Sequence, residues 1–278
     1  LHLFYTARKE EKPMDTLLFV IMFILGLVGS FFSGLLGIGG AIINYPLLLY
    51  VPSLMGLEPF SAHEVSSISM FQVFFASLAG VIAYIRRTRN GEKSEALIHK
   101  GLVAYMGSSI LVGSLIGGFI SGHLNGEVIN LIYGILAIIA IVLMLIPGKG
   151  TESSAGQLTF NTYVAAGSAL AVGIVSGIVG AGGAFILIPI MLTVLKVPTR
   201  TTIASSLAIV FISAIGGVVG KIMGGGIPLE PIIYTVIGSL LGASLGSKVS
   251  SMINVRLLRY GLMVLIAITA VKVWSSIL

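Results

Sequence analysis

Residues 34–46 read GLLGIGGAIINYP and residues 177–189 read GIVGAGGAFILIP, so Gly34, Gly37, Gly39, Gly40, Ala41 and Pro46 return 143 positions later as Gly177, Gly180, Gly182, Gly183, Ala184 and Pro189. Both copies lie inside long apolar runs. Glycine is among the poorest helix formers, and a helix interrupted at membrane depth exposes N–H and C=O groups that lipid cannot satisfy. Such backbone persists only where it is buried in protein or lines a wet cavity. The repeat therefore predicts two related halves broken at the same place, with the two breaks meeting as one composite site.

The membrane setting follows from how little charge the chain carries. Of 278 residues, 56% are apolar and 9% are charged, against roughly 25% charged in soluble domains. Several apolar runs reach the roughly 20 residues needed to cross a bilayer. These features predict an all-α, multi-pass protein of the cell membrane, with the lipid bilayer as its main partner. The formal charge of +6 does not imply nucleic acid, because the lysines and arginines sit in short links between apolar runs and follow membrane topology. With no cysteine in the chain, disulfides, thiolate chemistry and Cys-ligated metals are excluded.

Apolar segments fall at about 17–36, 41–51, 65–85, 101–122 and 128–146, and again at about 163–180, 184–195, 203–222, 230–248 and 255–277. Residues 1–14 read as an N-terminal tail, 15–146 as a first transmembrane repeat, 147–161 as a glycine- and serine-rich linker and 162–278 as a second repeat. The first apolar run lacks a small-residue cleavage site and reads as a retained span. The second segment of each half has about eleven or twelve residues, which rise only about 17 Å as helix, near half of a hydrocarbon core of about 30 Å. Each half thus opens with a span that breaks at Gly-Gly and continues as a half-helix or re-entrant piece. Matches elsewhere support the register: Ser66-Ser67 with Ser205-Ser206, and Gly113, Ser114 and Gly117 with Gly238, Ser239 and Gly242. Glycines four apart share a helix face and let another helix approach closely.

Basic residues orient the halves. Beyond residue 13, a pair of inverted halves places eleven basic residues inside and two outside, whereas parallel halves place eight and five. The positive-inside rule and the excessive length of residues 17–51 for one crossing favour inverted halves, with the basic link at 86–93 inside.

A glycine pair at a helix start presents uncommitted N–H groups beside the positive end of the helix dipole. Two such starts meeting near mid-membrane would cradle a small anion without any buried lysine or arginine. The candidate residues are Gly37, Gly39 and Gly40 with Gly180, Gly182 and Gly183. Ser66, Ser67, Ser205 and Ser206 offer hydroxyl donors at a second pair of helix starts, and Asn44 and Gln72 are amides in apolar runs that can face the same cavity. Lys221, near the end of the eighth segment, is expected to snorkel to the interface. His63 and Glu64 begin the third segment and read as interfacial groups. The histidines and acids form no HExxH pair and no intramembrane carboxylate pair, so neither enzyme chemistry, nor a metal, nor a cofactor is expected.

GLLGIGGA from Gly34 and GIVGAGGA from Gly177, each followed by a proline, together with the Ser-Ser helix start and the small-residue fourth segment, resemble the sulfite exporter TauE/SafE family over about residues 15–275. The resemblance implies a membrane transporter of small, often sulfur-containing anions such as sulfite, sulfoacetate and related sulfonates. The first copy departs from the usual motif at Ala41, where a third glycine is common, and at Asn44-Tyr45 before Pro46. The expectation is therefore export of sulfite or an organosulfonate by alternating access at a site between the repeats. Uptake of thiosulfate or another small anion stays open, as does a non-transporting membrane subunit or scaffold. A homodimer held by the glycine faces is allowed, although one chain can satisfy those faces by itself.

Overall fold

A computed structural model of the chain describes residues 12–36, 41–89, 98–145 and 160–250, together with 267, 271, 274 and 275. Among these residues the chain is helical and has no strand. The helices are α1 (Lys12–Leu36), α2 (Ala41–Leu54), α3 (Ala62–Arg89), α4 (Lys100–Ser121), α5 (Gly126–Leu145), α6 (Thr162–Val179), α7 (Ala184–Thr193), α8 (Thr199–Gly224) and α9 (Leu229–Ser250). Each coincides with an apolar segment expected from sequence, and the tenth segment lies almost wholly outside the described residues. Among the described residues six helices are long and apolar enough to cross a membrane: α1, α3, α4, α6, α8 and α9. The second helix of each half is short, 14 residues in α2 and 10 in α7, with Pro46 and Pro52 inside α2 and Pro189 inside α7.

Local chemistry explains several helix starts. Ser61 and Glu64 form a capping box at α3: the Glu64 carboxylate accepts from the Ser61 N–H and hydroxyl at 2.8 Å each, and the Ser61 hydroxyl accepts from the Glu64 N–H at 3.3 Å. That arrangement satisfies N–H groups that would otherwise be orphaned. At α4 the His99 ring accepts from the Leu102 N–H at 3.1 Å. At α6 the Asn161 side chain accepts from the N–H groups of Tyr163 and Val164. Glu64, His99 and Asn161 are thus explained by helix capping.

Small residues set the packing. A Cβ at Gly113 would overlap the Leu170 carbonyl, and one at Gly117 the Ile174 carbonyl, so α4 and α6 run side by side in the same direction. On its other side α4 meets α8, where Gly216 and Gly220 face the carbonyls of Leu111 and Leu115, again in the same direction. The α9–α1 pair repeats the pattern, with Gly238 against the Phe23 carbonyl and Gly242 against that of Leu27. The fourth helix of each half therefore packs on the first helix of the other half. Because Leu27 and Leu170 correspond in the 143-residue repeat, packing aligns Gly113 with Gly242, not with Gly238 as the GSLxG match suggests. The helix bounds agree, since Lys100 and Leu229 are also 129 positions apart. The GSLxG pairing was one helical turn out because glycines spaced by four match each other in either register. These glycine faces are filled within one chain, which leaves no argument from them for a homodimer.

The third helices of the two halves, α3 and α8, cross in the middle. Gly80 lies by Leu207, Phe74 stacks on Phe211 with ring centroids 5.6 Å apart, Gly217 lies by Met70, and Lys221 reaches Ser66. Positions rise along one helix as they fall along the other, so the two run antiparallel. Outside, the molecule presents large apolar side chains such as Ile24, Val112, Ile138 and Leu241, as a lipid-facing surface requires.

Candidate functional site

The break in the second half is fully enclosed. Helix α6 ends at Gly180, in the left-handed region with φ 79°, and the Ala181 N–H closes the turn on the Ser176 carbonyl at 2.8 Å. Gly182 and Gly183 follow with φ of 64° and 77°, a conformation that costs an L-residue with a Cβ about 1–2 kcal/mol. Helix α7 then starts afresh, with the N–H groups of Ile186 and Leu187 returning to the Gly183 carbonyl. The N–H groups before them have no intrahelical acceptor, as at any helix start. Residues 180–187 are all buried. A Cβ at Gly182 would fall 2.6 Å from Val73 Cγ1 and 3.4 Å from Val210 Cγ1, which places Gly182 at the α3–α8 crossing beside the Phe74–Phe211 stack.

The carbonyls freed by the break are taken up by side chains. Ile178 O accepts from Ser66 Oγ at 2.6 Å and from Lys221 Nζ at 3.1 Å, and Gly180 O accepts from Ser69 Oγ at 2.9 Å. Ser66 has a further part, because its own carbonyl is the atom that a Cβ at Gly180 would overlap. Its hydroxyl is therefore committed to the broken helix rather than held out to a ligand. Ser69 escaped the sequence reading, although it lies one helical turn beyond Ser66.

In the first half, Gly37, Gly39 and Gly40 lie outside the described residues. The amides Asn44 on α2 and Gln72 on α3 are 2% and 1% exposed and converge on α1. A Cβ at Gly29 would overlap Asn44 Oδ1 and come within 2.9 Å of Gln72 Nε2. Gln72 Nε2 donates to the Gly26 carbonyl at 3.2 Å and to Ser30 Oγ at 3.3 Å, which fixes the orientation of the amide. Gln72 Oε1 and both polar atoms of Asn44 are buried with no hydrogen-bond partner among the described residues, and so is Ser67 Oγ. The repeat counterparts of Asn44 and Gln72, Leu187 and Phe211, are apolar, so this pair of amides belongs to one half only. Ser205 accepts from the His99 N–H at 3.1 Å, at the opposite end of α4 from Ser121. Ser206 is buried on the same turn of α8.

Lys221 overturns the expectation of a snorkelling side chain. It is 0% exposed, while its neighbours Ile222 and Met223 are 56% and 61% exposed. Helix α8 thus turns its apolar side chains outward and its lysine into the bundle. The ammonium donates to Ser66 Oγ at 2.5 Å, to Ser121 Oγ and to the Ile178 carbonyl. The expected cradle free of buried lysine and arginine is corrected accordingly: a buried cation bonds directly to the serine that packs on Gly180. No carboxylate is among its hydrogen-bond partners in the described residues.

The described site thus combines a broken helix, two buried amides with unpaired polar atoms and a buried lysine. A Bacillus subtilis (strain 168) protein named Probable membrane transporter protein YunE is 26% identical over 249 residues, covering 84% of this chain and 88% of that protein. A Probable membrane transporter protein of Xylella fastidiosa (strain 9a5c) is 30% identical over 258 residues, 90% of this chain and 93% of its own length. The Probable membrane transporter protein MJ0441 of Methanocaldococcus jannaschii is 25% identical over 251 residues, with 84% and 87% covered. No solved structure matches the chain. The profile of the family described as Sulfite exporter TauE/SafE matches residues 22–273, and the chain, a multi-pass cell-membrane protein, belongs to that family of membrane transporters.

Proposed function

We propose that the chain exports small sulfur-containing anions, sulfite or an organosulfonate, by alternating access of two inverted halves around a site at the α3–α8 crossing. Gly180, Gly182 and Gly183 supply the second half of the site, with Gly37, Gly39 and Gly40 as their repeat counterparts. The observation that carries this reading is Asn44, whose amide is buried among helices with neither Nδ2 nor Oδ1 bonded among the described residues. A buried polar group left unpaired costs about 1–3 kcal/mol, and here it faces Gln72, whose Oε1 is also unpaired. Such a cluster is expensive in a resting protein and useful for a solute that arrives with its own hydrogen-bonding groups. An oxyanion accepts from Asn44 Nδ2, and its water or a protonated oxygen donates to the two amide oxygens. The antiparallel crossing of two repeat-related helices supports inverted halves, because a two-fold axis in the membrane plane relates such helices in opposite directions.

Asn44→Leu, which installs the residue found at the matching position 187, tests the site. Purified variant and wild type in proteoliposomes should differ by about tenfold or more in sulfite flux, the equivalent of one lost hydrogen bond to a charged ligand. The variant should melt at or above the wild-type temperature, because an unpaired buried amide has been removed. Competition by thiosulfate, sulfoacetate and sulfate ranks the substrates. A folded Asn44→Leu protein with unchanged flux would sink the site.

A further inference from the structure

The geometry points to Lys221 as the cationic station of the anion pathway, at the end of the bundle opposite the basic end of α3. The inference rests on the transport reading above and adds to it the residue that makes the path selective for negative charge.

The ammonium is not needed by any group it touches. Ile178 O already accepts from Ser66 Oγ, and Ser66 Oγ already has that carbonyl as its acceptor. Ser121 Oγ donates to the Gly118 carbonyl at 3.0 Å. Delete the lysine charge and every partner keeps a hydrogen bond. A cation buried at such depth without a carboxylate partner among the described residues is costly, and none of its described hydrogen-bond partners repays that cost by itself. A charge retained under these conditions marks a polar pathway by default.

Lys221 stands on α8 and bonds to α3 through Ser66, to α4 through Ser121 and to the end of α6 through Ile178. Four helices are tied at one point, immediately beside the Gly180 break on which Ser66 packs. Lys221 lies ten residues along α8 from Phe211, about 15 Å at the helical rise, so it guards a mouth of the bundle rather than its middle. Because α3 runs antiparallel to α8, that mouth is far from residues 86–89, and the positive-inside assignment makes it the outer one. The repeat counterpart of Lys221 is Ile82, so the repeat places no matching buried lysine at the other end of the crossing. An anion moving between the glycine site and the outer mouth takes the place of the serine oxygens on Nζ. The four-helix tie opens as the anion binds and closes again when it leaves.

Lys221→Met and Lys221→Gln remove the charge while keeping most of the volume, and Lys221→Arg keeps the charge. Two quantities are measured with sulfite as the probe: KM and maximal flux in proteoliposomes, and the sulfite-induced shift of melting temperature in detergent. Both neutral variants should be folded, should raise the KM by about tenfold or more, and should lose the melting shift, while Lys221→Arg retains part of both. Neutral variants with the wild-type KM and melting shift would overturn the inference. So would neutral variants that fail to fold, because the ammonium would then be a structural tie. Wild-type protein that neither moves sulfite, thiosulfate or sulfate nor is stabilised by them would instead overturn the transport reading, a result recognisable without any variant.

Discussion

At Gly180 two constraints coincide: a left-handed φ and a carbonyl, that of Ser66, occupying the space a side chain needs. Gly180→Ala should therefore cost about 3 kcal/mol or more, the sum of a left-handed penalty and backbone overpacking. Gly167→Ala, on the outer face of α6 with nothing within 4 Å of the added Cβ, should melt at or slightly above wild type, because alanine favours helix by about 0.5–1 kcal/mol. Melting curves in detergent compare the two directly. The same reasoning makes Gly182→Val a poor probe of transport, since φ and Val73 oppose it before any substrate is considered. Glycines of this kind are legible in sequence, because their repetition inside apolar runs has few other causes. Lys221 was harder to read, since a lone lysine near the end of an apolar run has the same local signature whether it reaches headgroups or turns inward. The available signal was its helix face: Ser213, Gly217 and Lys221 are four apart and stack on one side of α8, the small-residue side that packs inward. Asn44 and Gln72 were legible as candidates, but their lack of partners depends on residues from three helices and has no trace in the chain order.

At the level of elements, the boundaries came through well because apolar runs, capping residues and glycine or proline stops agree with one another. The short second helices were visible as runs too brief to cross a bilayer, and α7, at 10 residues, is about 15 Å long. The register of the fourth helices was less visible, for the physical reason that a face of glycines four apart is nearly self-similar under a one-turn shift. Partner identity was not visible at all: periodicity shows that α4 has a small-residue face, not that α6 from the other half fills it. This packing makes a prediction of its own. Gly117→Ala places a methyl group into the Ile174 carbonyl and should destabilise by about 1–3 kcal/mol. At Gly126 the nearest atom to an added Cβ is Ala62 Cβ at 3.5 Å, ordinary contact, so Gly126→Ala should be close to neutral. Equal melting temperatures for the two variants would mean that α4 and α6 do not meet as closely as the structure has them.

For the whole molecule the question is the relation between the halves. Each half sends its fourth helix to the first helix of the other, and α3 and α8 cross antiparallel, so the two halves are interwoven rather than placed side by side. The close pairs α1–α9 and α4–α6 each join one helix from either half, so a motion that keeps these contacts carries helices of both halves together. The inverted reading has a direct consequence for the links that precede the third helices. Met55 lies in the turn before α3 and Val194 in the turn before α8, and both are exposed. Inverted halves put these turns on opposite sides of the membrane, and parallel halves put them on the same side. Because the sequence has no cysteine, Met55→Cys and Val194→Cys each introduce a single thiol. Labelling intact cells with a membrane-impermeant maleimide should modify Met55→Cys and spare Val194→Cys until the membrane is permeabilised, given that the basic end of α3 faces the cytoplasm. The reverse pattern would keep the inverted halves and turn the molecule over, moving the Lys221 mouth to the cytoplasmic side. Labelling of both thiols from one side would mean parallel halves, and the proposed shared site would lose its symmetry argument.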